Sequence, residues 1–195
     1  MAINLAILGN KGKIMKYSEI TKTKEYKEDR GCCTVVATSV VFDKPFKEIQ
    51  EYFFTQGRKK NQGFAFQSAL YKLGKKYNFN IKKYSIAYNE KGYYFYQSNT
   101  DKPRYPSYLH TPKFYIKSER SLTVGNWKKY LNPNKTYILG FQGSICHVGA
   151  VKNGSVEDWT DGRRYVVSYY YEIEENKNVS QQTKSFLDNL KDFNY

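Results

Sequence analysis

Asn153-Gly154 sits between two short runs, His147-Val148-Gly149-Ala150-Val151-Lys152 and Ser155-Val156-Glu157-Asp158. Asn-Gly between alternating segments is the strongest short-range signal for a two-residue hairpin turn, because both central residues must take positive φ. Such a turn fixes the register. Lys152 faces Ser155, so Gly149 faces Asp158. Side chains alternate along a strand, so His147, Gly149 and Asp158 share one face and Glu157 takes the other. An imidazole and a carboxylate eleven residues apart are thereby expected to meet diagonally.

The hairpin belongs to a strand-rich final third. Thr136–Gln142 reads as a strand before it, and Tyr165–Ile173 as one after it. The first third has a different period. Residues Cys33 to Phe42 form an apolar run whose β-branched residues suit a strand. The turn chemistry of Asp29 and Gly31 ahead of the run favours a helix. A second helix is expected after Asp43-Lys44-Pro45, with Phe46, Ile49, Tyr52 and Phe53 on one face and Gly57 as its stop. A third is expected from about Phe64 to Tyr77, and a short one from Val124 to Leu131, broken by Asn132-Pro133-Asn134. Helices first and antiparallel strands afterwards indicate an α+β fold, with N-terminal helices packed on a C-terminal antiparallel sheet. Residues 1–28 read as a basic lead-in, 29–174 as the main domain with a Tyr-rich insertion near 79–119, and 175–195 as a C-terminal helix.

Length and composition set the outer limits. A chain of 195 residues with 40% hydrophobic residues can bury a sizeable core. Its net charge of +14 favours acidic partners: an acidic protein or peptide, or nucleic acid. Lysine dominates that charge, which argues against sequence-specific base reading. Three cysteines do not make a disulfide scaffold, and a reducing cytoplasm is the expected setting. No apolar run reaches the roughly 20 residues of a membrane-spanning helix, so no membrane partner is expected. Residues 1–9 lack the basic start of a secretory signal.

The candidate chemistry centres on Cys33, His147 and Asp158. A thiol at a helix N-terminus has a lowered pKa, because unpaired N–H groups and the helix dipole favour the thiolate. An imidazole can take its proton, and a carboxylate can fix the tautomer of the imidazole. Cys32 is an equal candidate from position alone, whereas Cys146 reads as strand packing. The only other histidine, His110, lies in a proline-bounded stretch. No cofactor and no metal are expected for this chemistry.

The ordered motifs carry a resemblance. Cys33 is followed four residues later by Ala37, then by Asp43-Lys44-Pro45-Phe46-Lys47-Glu48-Ile49. Next come Thr123-Val124-Gly125-Asn126-Trp127 and Lys135-Thr136-Tyr137-Ile138-Leu139-Gly140. Gly143, His147, Val151, Gly154, Asp158 and Trp159 close the set. Over roughly residues 29–160 the chain resembles papain-like cysteine hydrolases encoded by tailed bacteriophages. The resemblance implies a papain-like fold and a Cys33-His147-Asp158 triad acting on a peptide, isopeptide or amide bond. It also implies work in the cytoplasm of an infected host cell. Val36 stands where that pattern often has arginine. Lys27 stands where papain relatives often carry an oxyanion-stabilising glutamine. Hydrolysis, acyl transfer and deamidation remain open on the sequence. So does a catalytically degenerate basic binding protein that uses Lys82-Lys83-Tyr84 and Lys91–Tyr96 to grip nucleic acid or an acidic protein.

Overall fold

A computed structural model describes residues 14–89, 92–97, 121–141 and 146–176. Five helices come first: α1 (Tyr17–Ile20), α2 (Lys24–Glu28), α3 (Cys33–Phe42), α4 (Phe46–Thr55) and α5 (Gln67–Lys76). Strands β1 (Phe79–Asn89) and β2 (Gly92–Gln97) follow, then a 3₁₀ turn at Val124–Lys129. Strands β3 (Thr136–Phe141), β4 (His147–Lys152), β5 (Ser155–Glu157) and β6 (Val167–Glu175) complete one antiparallel sheet in the order β2-β1-β6-β3-β4-β5. The fold is α+β, with helices N-terminal and strands mostly C-terminal.

The sheet is buried on both faces. Ile138, Val148, Ala150, Tyr171 and Ile173 point toward α3, α4 and α5. Tyr137, Leu139, Phe141, Val151 and Tyr170 pack on the other side against Leu122, Val124, Trp127 and Leu131. Burial on both faces explains why β3 and β4 read as near-continuous apolar runs rather than strict alternation.

Every residue of α3 from Thr34 to Phe42 is buried. Burial in the centre of the fold overrides the modest helix penalty of its valines and threonines. Both ends of α3 are secured. At the C-terminal end, Asp43 takes a left-handed conformation (φ 52°) and its N–H returns to the last turn. Lys152, on β4, donates to Val40 O (3.0 Å) and to Asp43 Oδ2 (2.5 Å), setting a cation on the negative end of the helix. The N-terminal end is tied to α4. Gly57 (φ 93°) closes α4, with Gly57 N–H donating to Phe54 O and Arg58 N–H to Phe53 O. This is a Schellman closure, and it turns Arg58 inward. The Arg58 guanidinium grips buried Asp29 through Nη1–Oδ2 (2.6 Å) and Nη2–Oδ1 (2.9 Å). Gln50 Nε2 (2.7 Å) and the Asn61 N–H (2.8 Å) complete the shell around the Asp29 carboxylate.

Two of the flanking segments take part in the fold. The lead-in is part of the fold from residue 14 onward: Ile20 is fully buried, and the Tyr17 N–H donates to Glu157 Oε2 at 2.9 Å. The Tyr-rich segment opens with two strands, β1 and β2. β1 lies inside the sheet between β2 and β6, because Ile81 reaches the helix-side core and Tyr84 stacks on Tyr170 at 4.8 Å. The expected C-terminal helix, beyond residue 176, and His110 lie outside the described residues. Among the described residues no helix is long and apolar enough to cross a membrane.

The side chains of Arg58 and Asp29 are fully buried, so removing one partner strands the other. Arg58→Met should lower the unfolding free energy by about 3–5 kcal/mol, the cost typical of breaking a buried pair. Asp29→Asn added to Arg58→Met should recover part of that loss. Urea titrations of the three proteins measure both effects.

Candidate active site

The thiol is delivered by a short, fixed turn. Asp29 is anchored by Arg58, whose Nη2 also reaches Gly31 O at 3.4 Å. The Arg30 N–H donates to Asn61 Oδ1 at 2.6 Å. Gly31 then takes φ 77°, a conformation that glycine adopts without a Cβ penalty. Cys32 caps α3 and Cys33 is its first residue. The N–H groups of a first helical turn have no partners within the helix, so they face the sulfur and whatever lies in front of it.

The hairpin supplies the other half. Asn153 and Gly154 have φ of 51° and 75°, and Lys152 pairs with Ser155. β5 pairs with β4 only from Ala150 to Lys152. The edge of β4 at residues 147–149 is thus left without a strand beside it on that side. The N-terminus of α3 takes that place, where the Val148 N–H favours the thiolate of Cys33.

His147 opens β4 and its imidazole shares the cleft with the Cys33 thiol, close enough for each to shift the ionisation of the other. Its Nε2 lies 2.9 Å from Asp158 Oδ2. Nδ1 is consequently the nitrogen left for sulfur. The neutral ring would donate from Nε2 to the carboxylate and accept the thiol proton at Nδ1. Phe141 stacks on the ring at 5.6 Å and 22°, and Trp159 leans against it at 5.2 Å. Asp158 is buried, and its Oδ2 also accepts from Thr160 N–H (3.1 Å) and Oγ1 (2.6 Å).

These contacts set the charges. Burial pushes the Cys33 thiol up, but the His147 hydrogen bond, the Val148 N–H, the imidazolium charge and the Thr34 N–H together bring it below the ordinary thiol value. Burial pulls His147 down, but Asp158 and Cys33 outweigh it and raise the imidazole to about 9. The lowered thiol and the raised imidazole both favour a thiolate–imidazolium pair. Cys32 goes the other way. Burial, with the Asp29 charge, pushes it to about 12, although Arg58 opposes this. Local environment separates two adjacent cysteines that position alone cannot.

Three further residues shape the site: Gly149, Thr160 and Cys146. Gly149 faces Asp158 with almost no room to spare: a Cβ there would lie 3.1 Å from Asp158 Cβ and 3.3 Å from Oδ2. Its lack of a side chain lets the carboxylate lie across β4 toward His147. Thr160 fixes that carboxylate, and Asp158-Trp159-Thr160 is a short Asx-type turn that the sequence could have suggested. Cys146, expected as strand packing, is instead exposed just before β4 and lines the cleft. That cleft has a volume of about 340 Å³ around Cys33 and His147, with Tyr17, Tyr26, Lys27, Arg30 and Trp159 among its walls. Among the described residues, no group of three or more His, Cys, Asp or Glu is placed to hold a metal ion.

Gly149→Ala tests the close approach. A methyl group must displace an Asp158 side chain that is tied to both His147 and Thr160. The expected result is about a tenfold slower alkylation of Cys33 at pH 6, the effect of losing one unit of thiol pKa depression. Peptide mass spectrometry follows the labelling, and a urea titration shows whether the fold is retained.

No protein-family model, no curated protein and no solved structure matches the chain.

Proposed function

We propose that the protein is a papain-like cysteine hydrolase that cleaves a peptide, isopeptide or amide bond. The observation that carries this reading is the Cys33–His147–Asp158 relay: a depressed thiol at a helix start, a raised imidazole, and a buried carboxylate on its far nitrogen. The surrounding fold supports it too. A buried helix with the thiol at its head packs on an antiparallel sheet bearing the histidine, as the resemblance implies.

The steps follow from the geometry. The Cys33 thiolate attacks the acyl carbon. The carbonyl oxygen takes up negative charge, which the Cys33 backbone N–H at the open helix end is suited to stabilise. The His147 imidazolium passes its proton to the leaving amine as the C–N bond breaks, giving a thioester on Cys33. His147, now neutral, takes a proton from water as the water oxygen bonds to the thioester carbon; the C–S bond then breaks, which releases the carboxylic acid and restores the Cys33 thiolate beside an imidazolium. Asp158 holds the ring orientation and stabilises its positive state throughout.

The alternative of a nucleic-acid grip loses part of its footing. Lys82 pairs with Glu174 at 3.2 Å, Lys83 donates to Gln67 Oε1 at 2.8 Å, and Tyr84 is stacked on Tyr170. These side chains are engaged within the fold. Residues Gly92–Gln97 form strand β2 at the edge of the sheet.

Iodoacetamide labelling at pH 6 should modify Cys33 well ahead of Cys32 and Cys146. His147→Ala should remove that preference, and Asp158→Ala should weaken it less, because the carboxylate acts on sulfur through the ring. Equal, slow labelling of all three cysteines in the unaltered protein would refute the reading. Amide turnover should follow a bell in pH. The acid limb reflects the lowered thiol. The alkaline limb falls as His147 loses its proton near about 9.

A further inference from the structure

We propose that the cleft selects substrates carrying carboxylates within a few residues of the scissile bond, with Lys27 and Arg30 as the specificity-determining residues. The proposal rests on the cysteine-hydrolase reading and adds the chemical class of substrate to it.

Two carboxylates line the cleft, and both are already engaged. Asp29 is fully buried and holds Arg58, Gln50 and the Asn61 N–H. Asp158 is buried and holds His147 and Thr160. Two permanent cations, Lys27 and Arg30, line the same cleft, and both are exposed. Among the described residues neither has a carboxylate within ion-pair distance. The contrast with their neighbours is plain: Lys24 and Lys60 both pair with Glu28.

The arrangement follows from the turn before α3. Lys27 lies in the last turn of α2, and Arg30 comes three residues later. Asp29 is drawn inward by Arg58, so its neighbour Arg30 faces solvent, while Asn61 pins the Arg30 backbone. The same short segment that fixes the thiol therefore presents beside it two positive charges that no carboxylate pairs among the described residues. Exposed charges at the mouth of a cleft act on encounter rate and on partner choice more than on bare affinity. An acidic segment would find both cations unneutralised, whereas a basic one would meet like charge.

The test compares an anionic with a neutral alkylating agent on the full chain. The ratio of iodoacetate to iodoacetamide rate constants at Cys33 is measured at low salt for the unaltered protein and for Lys27→Gln/Arg30→Gln. Taking the ratio cancels any change in thiolate content. It should fall about two- to fourfold in the double variant, the effect of two exposed charges across a small water-filled cleft. Raising the salt should bring the ratio of the unaltered protein toward that of the variant. In a second arm, N-acetyl-tetraglutamate should protect Cys33 of the unaltered protein from iodoacetamide, and N-acetyl-tetraglutamine should not. An unchanged ratio in the variant, or equal protection by the two peptides, would overturn the proposal while leaving a fast Cys33 and the hydrolase reading intact. Slow reaction of Cys33 with both reagents would overturn both.

Discussion

A helix with no exposed turn cannot adjust its position to suit the chemistry at its end. α3 is buried from Thr34 to Phe42, so the place of Cys33 is decided by everything packed around that helix. Each terminus is also tied to a different part of the chain. Lys152 binds the C-terminal carbonyls from β4. Arg58, turned inward by the closure of α4, holds Asp29 just ahead of the N-terminus. The helix is thereby coupled to the hairpin at one end and to its neighbouring helix at the other. Rigid support of this kind is what a nucleophile needs, since small displacements of reacting groups cost large factors in rate.

The electrostatics of the site depend on that rigidity. A buried thiol would ordinarily stay protonated. Here its surroundings are donors: the imidazole and two backbone N–H groups, one from its own helix and one from β4. The β4 donor is available because β5 is only three residues long. A longer β5 would have to share the edge that α3 fills. The imidazole is held by Asp158, and Asp158 by Thr160, over a glycine that gives it room. Cys32, one residue away but facing the Asp29 carboxylate in a buried setting, is left protonated.

What could be read in advance was local or periodic. The bounds of α3 followed from Asp29 and Gly31 ahead of an apolar run. The face shared by His147 and Asp158 followed from one Asn-Gly turn and the two-residue period of a strand. What could not be read depends on pairs distant in sequence. Asp29 and Arg58 meet across 29 residues, and Tyr17 and Glu157 across 140. The lysine-rich composition of the first 28 residues masked Ile20, a single apolar anchor. The tyrosines of β1 left open how deep in the sheet that strand lies, since a ring with a hydroxyl serves equally well at a surface. That Gly149 faces Asp158 was legible from the same turn, but not that a Cβ there would lie only 3.1 Å from the Asp158 side chain.

Glu157 and Asp158 are consecutive carboxylates with separate duties on opposite sides of one strand, the first receiving the Tyr17 N–H and the second His147. Their division of labour depends on an even count. A residue gained in the Asn153-Gly154 turn can be absorbed by a longer loop. A residue gained between Ser155 and Glu157 would bring the longer glutamate into the aspartate's place beside the imidazole and carry the aspartate one position on, to the opposite face. The hairpin is thus tolerant of length change at its tip and intolerant of it three residues further on, and divergence of this chain by insertion or deletion would be confined accordingly.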